Sequence, residues 1–310
     1  YQPERSPIRE HLQVPVRDRL WWGGYKNLIS GATTVVHHDP FTRRMFHRRF
    51  PVRVLRRYGW SHSLGYGDLE DLPRAYAESR GRPFIVHAAE GVDEASLGEI
   101  DRLDELGLLG SNTVLVHAVA LTAAQQRRIA DAGASVVWCP ASNLRLYGRT
   151  AAVDELRGRV EVGLGTDSTL SGSPTLLDEM RAGLATGLAT ADEIVAMVTE
   201  VAARIFGLAD RGRIGEGLAA DLIVIPDTGG RPAETLLAAT AANLALVVVG
   251  GDVRLASPEW AEALDLGTPN AVVDGCERWL VGDVGALRRK ILRAAVPWAP
   301  HDNPLWSLIR

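Results

Sequence analysis

Cysteine is nearly missing from this chain of 310 residues, where Cys139 and Cys276 are the only two. They fit no metal-binding or redox spacing, which argues against a disulfide framework and points to a reducing, cytoplasmic setting. Long apolar runs are missing as well. None approaches the roughly 18 residues that span a bilayer, and the opening Tyr1-Gln2-Pro3-Glu4-Arg5 lacks the pattern of a signal peptide. Because Tyr1 stands where Met would begin a chain, the native start is expected upstream. An excess of one charge is also lacking, with 34 Lys and Arg against 38 Asp and Glu, a formal charge of -4 and a sequence pI of about 6.1. That balance leaves no electrostatic footprint for nucleic acid or an anionic membrane, so a small-molecule substrate is the expected partner. No internal repeat or low-complexity segment stands out.

What the sequence does contain is alternation. Its length suits one large α/β barrel domain plus a smaller appendage, since such barrels run to about 250 residues. After a polar lead-in over 1–13, helical spacing covers 17–29, and 33–36 and 52–55 read as strands around a short basic helix within 41–49. A helix over 68–79, kinked or shortened by Pro73, leads into a strand at 84–87. Helices at 94–106, 122–132 and 151–156 then alternate with strands at 113–117, 135–138 and 160–164, as expected for βα units on a parallel sheet. Six strands precede Asp167. Of the two needed to complete an eight-stranded barrel, one is expected upstream of Tyr1, and the other either near 60–66 or absent from a distorted barrel. Helices at 176–188 and 191–206 follow, the second opened by Thr190 with Glu193 at capping-box spacing and closed by Gly207. The expected architecture is a TIM-like (β/α) barrel over 1–206, lacking its first strand here. A small β-rich region is expected over 207–310, with a turn at 213–217, strands at 220–225 and 245–249, and a tail from Asp274 that is helical in part and carries Trp298 and Trp306.

Four consecutive strands end in polar residues: His87-Ala88-Ala89-Glu90, His117, Cys139-Pro140-Ala141-Ser142-Asn143 and Gly165-Thr166-Asp167-Ser168. A parallel barrel gathers the C-terminal ends of its strands around one pocket, so His87, Glu90, His117 and Asp167 are candidates for one site. Imidazole and carboxylate are usual ligands of a catalytic zinc or similar divalent ion. The bland alternatives are buried core histidines and an aspartate capping a turn.

These segments, with Gly31-Ala32-Thr33-Thr34-Val35 before them and Gly212-Arg213-Ile214, Gly217 and Ala220-Asp221-Leu222 after, follow one another in the order of a known family. The chain resembles the amidohydrolase superfamily, in the branch of chlorohydrolases and aminohydrolases. That resemblance implies a metal-dependent hydrolase of carbon–nitrogen bonds, with deamination of a nitrogen heterocycle by metal-bound hydroxide as the leading reaction. Chlorohydrolase or amidase chemistry, or a metal-free binding protein on the same scaffold, are the alternatives. The resemblance implies His87 and Asp167 as ligands of zinc, or of iron, with Asp167 also accepting a proton and Glu90 delivering one to the leaving group. His117 would be a further ligand or would orient the hydroxide. A His-x-His pair at the end of the first barrel strand is implied too and is not in this sequence; His11 is alone, and the adjacent His37 and His38 would point to opposite faces of a strand. A homodimer is what the family suggests.

Trp60, His62 and Tyr66 are candidates for lining the substrate pocket. One of His37, His38 and Asp39 is another, with His38 preferred. Ser142 and Asn143 read as organisers of their loop, Cys139 as a small buried residue, and Arg43, Arg44, His47, Arg48 and Arg49 as a solvated basic face.

Overall fold

The computed structural model describes residues 4–5, 8–38, 40–64, 71–294 and 309. Asp39, Tyr66, Trp298 and Trp306 lie outside the described residues. The chain divides into two compact units, one formed by 1–55 with 219–310 and the other by 56–218.

The first unit begins with helices α1 (Ile8–Gln13) and α2 (Val16–Leu28), followed by the short strands β1 (Thr34–Val35) and β2 (Arg53–Val54), which pair in parallel. Between them the basic segment forms only a 3-10 turn, Arg43–Phe46. No side chain caps its start, and clustered cations disfavour a longer helix.

The second unit carries β3 (Gly59–Ser63), α3 (Asp71–Ser79), β4 (Phe84–Ala88), α4 (Glu94–Glu105), β5 (Thr113–His117), α5 (Ala123–Ala132) and β6 (Ser135–Trp138). It continues through α6 (Pro140–Tyr147), α7 (Val153–Leu156), β7 (Val162–Leu164), α8 (Leu176–Ala185), α9 (Ala191–Val198) and α10 (Glu200–Ile205). Strands β3 to β7 form one parallel sheet in sequence order, so β3 is the strand sought near 60–66. Every residue of β5 is buried, and all but His87 of β4, as expected where a parallel sheet is covered on both faces. Phe84, Val86, Leu115, Val136 and Trp138 of the sheet and Ile100, Leu103, Ile129, Leu177, Met180 and Ile194 of the helices supply its buried apolar side chains.

Local chemistry explains where these helices begin and end. Pro73 is the third residue of α3, within the first turn, where a missing N–H breaks no helical bond. Thr190 and Glu193 form the reciprocal capping box that their spacing predicts. The helix expected over 191–206 is broken at Thr199, whose φ and ψ are -120° and -99°. Its hydroxyl donates to the Val195 carbonyl at 2.7 Å, competing with the helical ladder.

The first unit resumes with β8 (Leu222–Val224), α11 (Pro232–Ala238), β9 (Leu246–Val249), β10 (Asp252–Ala256), α12 (Pro258–Ala263), β11 (Ala271–Val273), β12 (Cys276–Leu280) and α13 (Val284–Ala294). These strands form an antiparallel sheet in the order β11-β12-β10-β9-β8. Its core joins Trp22, Tyr25 and Leu28 of α2 to Val247, Leu255, Leu280 and Ile291. The Tyr25 hydroxyl donates to the Val281 carbonyl at 2.6 Å. Asp221, from the closing motif, accepts from Arg53 and from the Gly250 amide, which gives that aspartate a structural task.

Candidate metal centre

The register of the parallel sheet sets the site. Ala88 pairs with His117 and His87 with Val116, so β4 and β5 end at one level and deliver their histidines side by side. The two rings stack with centroids 5.2 Å apart. Asp167 follows β7, three residues past Leu164. Ligand atoms of His87, His117 and Asp167 all lie within 4.8 Å of one another. Left-handed backbone marks these strand ends, at Ala89 (φ 53°), His117 (79°), Ala118 (53°) and Asp167 (51°). Strained conformations of this kind cluster where side-chain placement is functional.

Each of the three side chains is oriented by a partner. His87 Nδ1 bonds the carbonyl oxygen of His62 at 2.6 Å; a carbonyl only accepts, so Nδ1 carries the proton and Nε2 the lone pair. Burial pulls this imidazole below its ordinary pKa, with the His62 carbonyl opposing and the neighbouring histidines adding to the depression, which favours the neutral ligand form. His117 is buried, and its Nδ1 lies 2.9 Å from Asn143 Oδ1. Asn143 Nδ2 donates to Thr150 Oγ1 at 3.2 Å, so the amide presents its oxygen to His117. Asp167 Oδ2 accepts from the hydroxyls of Ser142 and, at 2.8 Å, Ser171. Burial raises this carboxyl's pKa, but the Ser142 and Ser171 hydroxyls, the His117 imidazole and the Ser168 amide together hold it below the usual range. Two imidazoles and an ionised carboxylate, each fixed through its far atom, fit a divalent cation of the zinc type.

Glu90 stands beside this group, with Oε2 3.6 Å from His117 Nε2. The turn that carries it is fixed by Glu99 of α4, which accepts the Ala89 amide at 2.6 Å. Gly165 cannot be another residue without displacement, because a Cβ there would meet Val137 Cγ1 at 2.6 Å and Cys139 Sγ at 3.3 Å. Cys139 itself is a buried free thiol.

Two further residues belong to this neighbourhood and were not among the candidates read from the sequence. Tyr147 ends α6 beside Glu90; burial, then the charge of that carboxylate, push its phenol up to about 12. Its spacing of four from Asn143 would have placed it on the same face, had α6 been read as a helix. Glu179 of α8 is fully buried and accepts the amides of Ala141 at 3.0 Å and Ser173 at 3.2 Å. The signal was a carboxylate on the buried face shared with Leu177, Met180 and Gly183.

Of the remaining candidates, Trp60 and His62 lie on β3, half-buried and exposed respectively, and the His62 ring is 5.1 Å from that of His87. His38 is half-buried after β1 and belongs to the other compact unit. No helix among the described residues is long and apolar enough to cross a membrane.

Comparison with known proteins gives the same direction. The model of the amidohydrolase family matches residues 66–254. The 5-methylthioadenosine/S-adenosylhomocysteine deaminase of Natronomonas pharaonis is 34% identical over 216 residues, covering 62% of this chain and 48% of that protein. The chain spans about half the length of the curated relatives it matches. Among solved structures, an adenosine deaminase from Xanthomonas campestris with bound zinc superposes with a TM-score of 0.63 at 22% identity, covering 86% of this chain and 66% of that one. An atrazine chlorohydrolase from Arthrobacter aurescens complexed with zinc gives 0.62 at 20% identity, covering 83% and 57%. At these identities the likeness is one of fold, and it is the TIM-like barrel scaffold that the alternation of strands and helices predicts.

Proposed function

We propose that this chain, which belongs to the amidohydrolase family, carries the hydrolytic site of a metal-dependent aminohydrolase that deaminates a nitrogen heterocycle. The observation that carries the reading is the convergence of His87, His117 and Asp167 with the Glu90 carboxylate 3.6 Å from His117. His87, His117 and Asp167 would hold a divalent ion, for which zinc is our choice because two solved structures of the same fold contain it. When bound, such an ion supplies the Lewis acidity that makes water a usable nucleophile near neutral pH.

The reaction replaces an exocyclic amino group by oxygen: water adds to the ring carbon, the carbon–nitrogen bond breaks, and ammonia leaves. Asp167, anchored through Oδ2, would accept the proton lost by the attacking water. Glu90 would carry a proton to the ring or to the departing amine, and Asn143 Oδ1 holds the neighbouring His117 imidazole in one orientation. Trp60 and His62 offer an aromatic and a polar surface suited to a planar ligand. A relative at 34% identity is named as a deaminase, which supports this leaving group over chloride.

Ammonia release from a panel of aminopurine nucleosides and free amino heterocycles, assayed with zinc-loaded full-length protein, tests the proposal. It predicts turnover of at least one compound and its loss in Glu90→Gln. Protein that binds stoichiometric zinc yet releases ammonia from none of them would overturn it.

A further inference from the structure

We infer that Glu179 is a positioning residue for the metal site, fixing the Asp167 carboxylate by holding in register the two segments whose serines bind it. The inference rests on the proposed role of His87, His117 and Asp167 as metal ligands. Its basis is a pattern of four hydrogen bonds. Asp167 Oδ2 accepts from Ser142, in the first turn of α6, and from Ser171, in the turn after β7. Behind those serines, Glu179 Oε1 accepts the amide of Ala141, the residue before Ser142. Its Oε2 accepts the amide of Ser173, two residues after Ser171. Each oxygen of one buried carboxylate therefore serves one of the two segments that clamp the other carboxylate.

The choice of an acid at this position calls for a reason. Glu179 is fully buried; that burial pushes its carboxyl above the usual range, opposed by the Ser173 hydroxyl and the amides of Ala141 and Ser173. A neutral amide of the same shape would be easier to bury. Glutamine, however, presents one acceptor and one donor end, so one of the two N–H groups would face an NH2. Only a carboxylate accepts from both segments at once. Released from one of them, Ser142 and Ser171 would no longer converge on the same oxygen, and Asp167 would turn within the site.

Zinc affinity, measured by competition with a chromophoric chelator on full-length protein, tests this without reference to turnover. We expect Glu179→Gln to bind zinc about 10- to 100-fold more weakly, as loss of outer-sphere support does in other zinc sites, and Ser171→Ala to show a loss in the same range. Because both act through one carboxylate, the double variant should fall no further than the weaker single variant. Should Glu179→Gln fail to fold, Glu179→Asp, which keeps both acceptors with a shorter reach, is expected to lose affinity in the same way. Wild-type affinity in folded Glu179 variants, or losses that multiply with Ser171→Ala, would overturn the inference and leave the metal reading standing. Wild-type protein that binds no zinc would overturn both.

Discussion

The carbonyl oxygen of His62 receives the Nδ1 proton of His87 at 2.6 Å, so a backbone atom of β3 decides which nitrogen of a β4 side chain keeps its lone pair. No side-chain substitution removes that acceptor. His117 is held by the same logic, but by a side chain, Asn143, and that makes the principle testable.

Asn143→Ala deletes the acceptor that fixes the His117 tautomer and leaves a buried imidazole N–H without it. Zinc affinity is expected to fall about 10- to 100-fold, with about 1–3 kcal/mol lost from stability. Chelator competition and thermal melts measure the two effects. Unchanged affinity would show that His117 needs no such support.

Glu90→Gln keeps the size of the side chain and removes its ability to shuttle a proton. If Glu90 acts as a general acid and base, turnover should drop about 10²- to 10⁴-fold with zinc affinity essentially unchanged. Parallel loss of metal would instead make Glu90 part of the ligand set.

Gly165→Ala places a methyl group against Val137 and Cys139, two residues from Asp167. Overpacking of this kind costs about 1–3 kcal/mol, and the displaced strand end should carry Asp167 with it. We expect a lower melting temperature together with weaker zinc binding. A variant with wild-type values for both would contradict the close packing described.

Lys26 in α2 responds to pH for a reason unrelated to the site. Burial lowers its pKa from 10.5 to about 8. Between about pH 8 and 10 the folded state therefore holds fewer protons than the unfolded one, and stability from this group rises with pH; below 8 the amine is charged in both states and the burial penalty is complete. Lys26→Met should stabilise the protein at pH 7 by about 1–3 kcal/mol, and the gain should shrink as the pH approaches 10. Melts at both pH values check this, and an equal gain at both would contradict it.

Much of the scaffold was legible because the sheet is buried on both faces. Short apolar runs such as Val114-Leu115-Val116 have few other uses, and the polar residue at each run's end marked the site. Helix α6 was not legible, since Cys139-Pro140-Ala141-Ser142-Asn143 has the composition of a loop. Its proline occupies the first helical position, where the missing N–H is harmless. Ser142 and Asn143 thus act from a helix, each on a site residue at least 25 positions away in sequence. Glu179 was hidden for a related reason: its partners lie at Ala141 and Ser173, and nothing in the spacing of a glutamate on α8 names them. In the first unit, β10 and β12 escaped notice because Arg254 and Arg278 interrupt them. Both arginines are buried by bonding main-chain carbonyls, a partner that a sequence does not display.

We propose above all that His87, His117 and Asp167 jointly bind a divalent metal. The most direct test is the zinc content and zinc affinity of purified full-length protein beside His87→Ala, His117→Ala and Asp167→Ala variants whose melting curves confirm folding. We expect near-stoichiometric zinc in the wild type and loss of the ion from this site in each variant. Zinc retained at wild-type affinity by the folded variants, or absent from the wild type after incubation with excess metal, would contradict it.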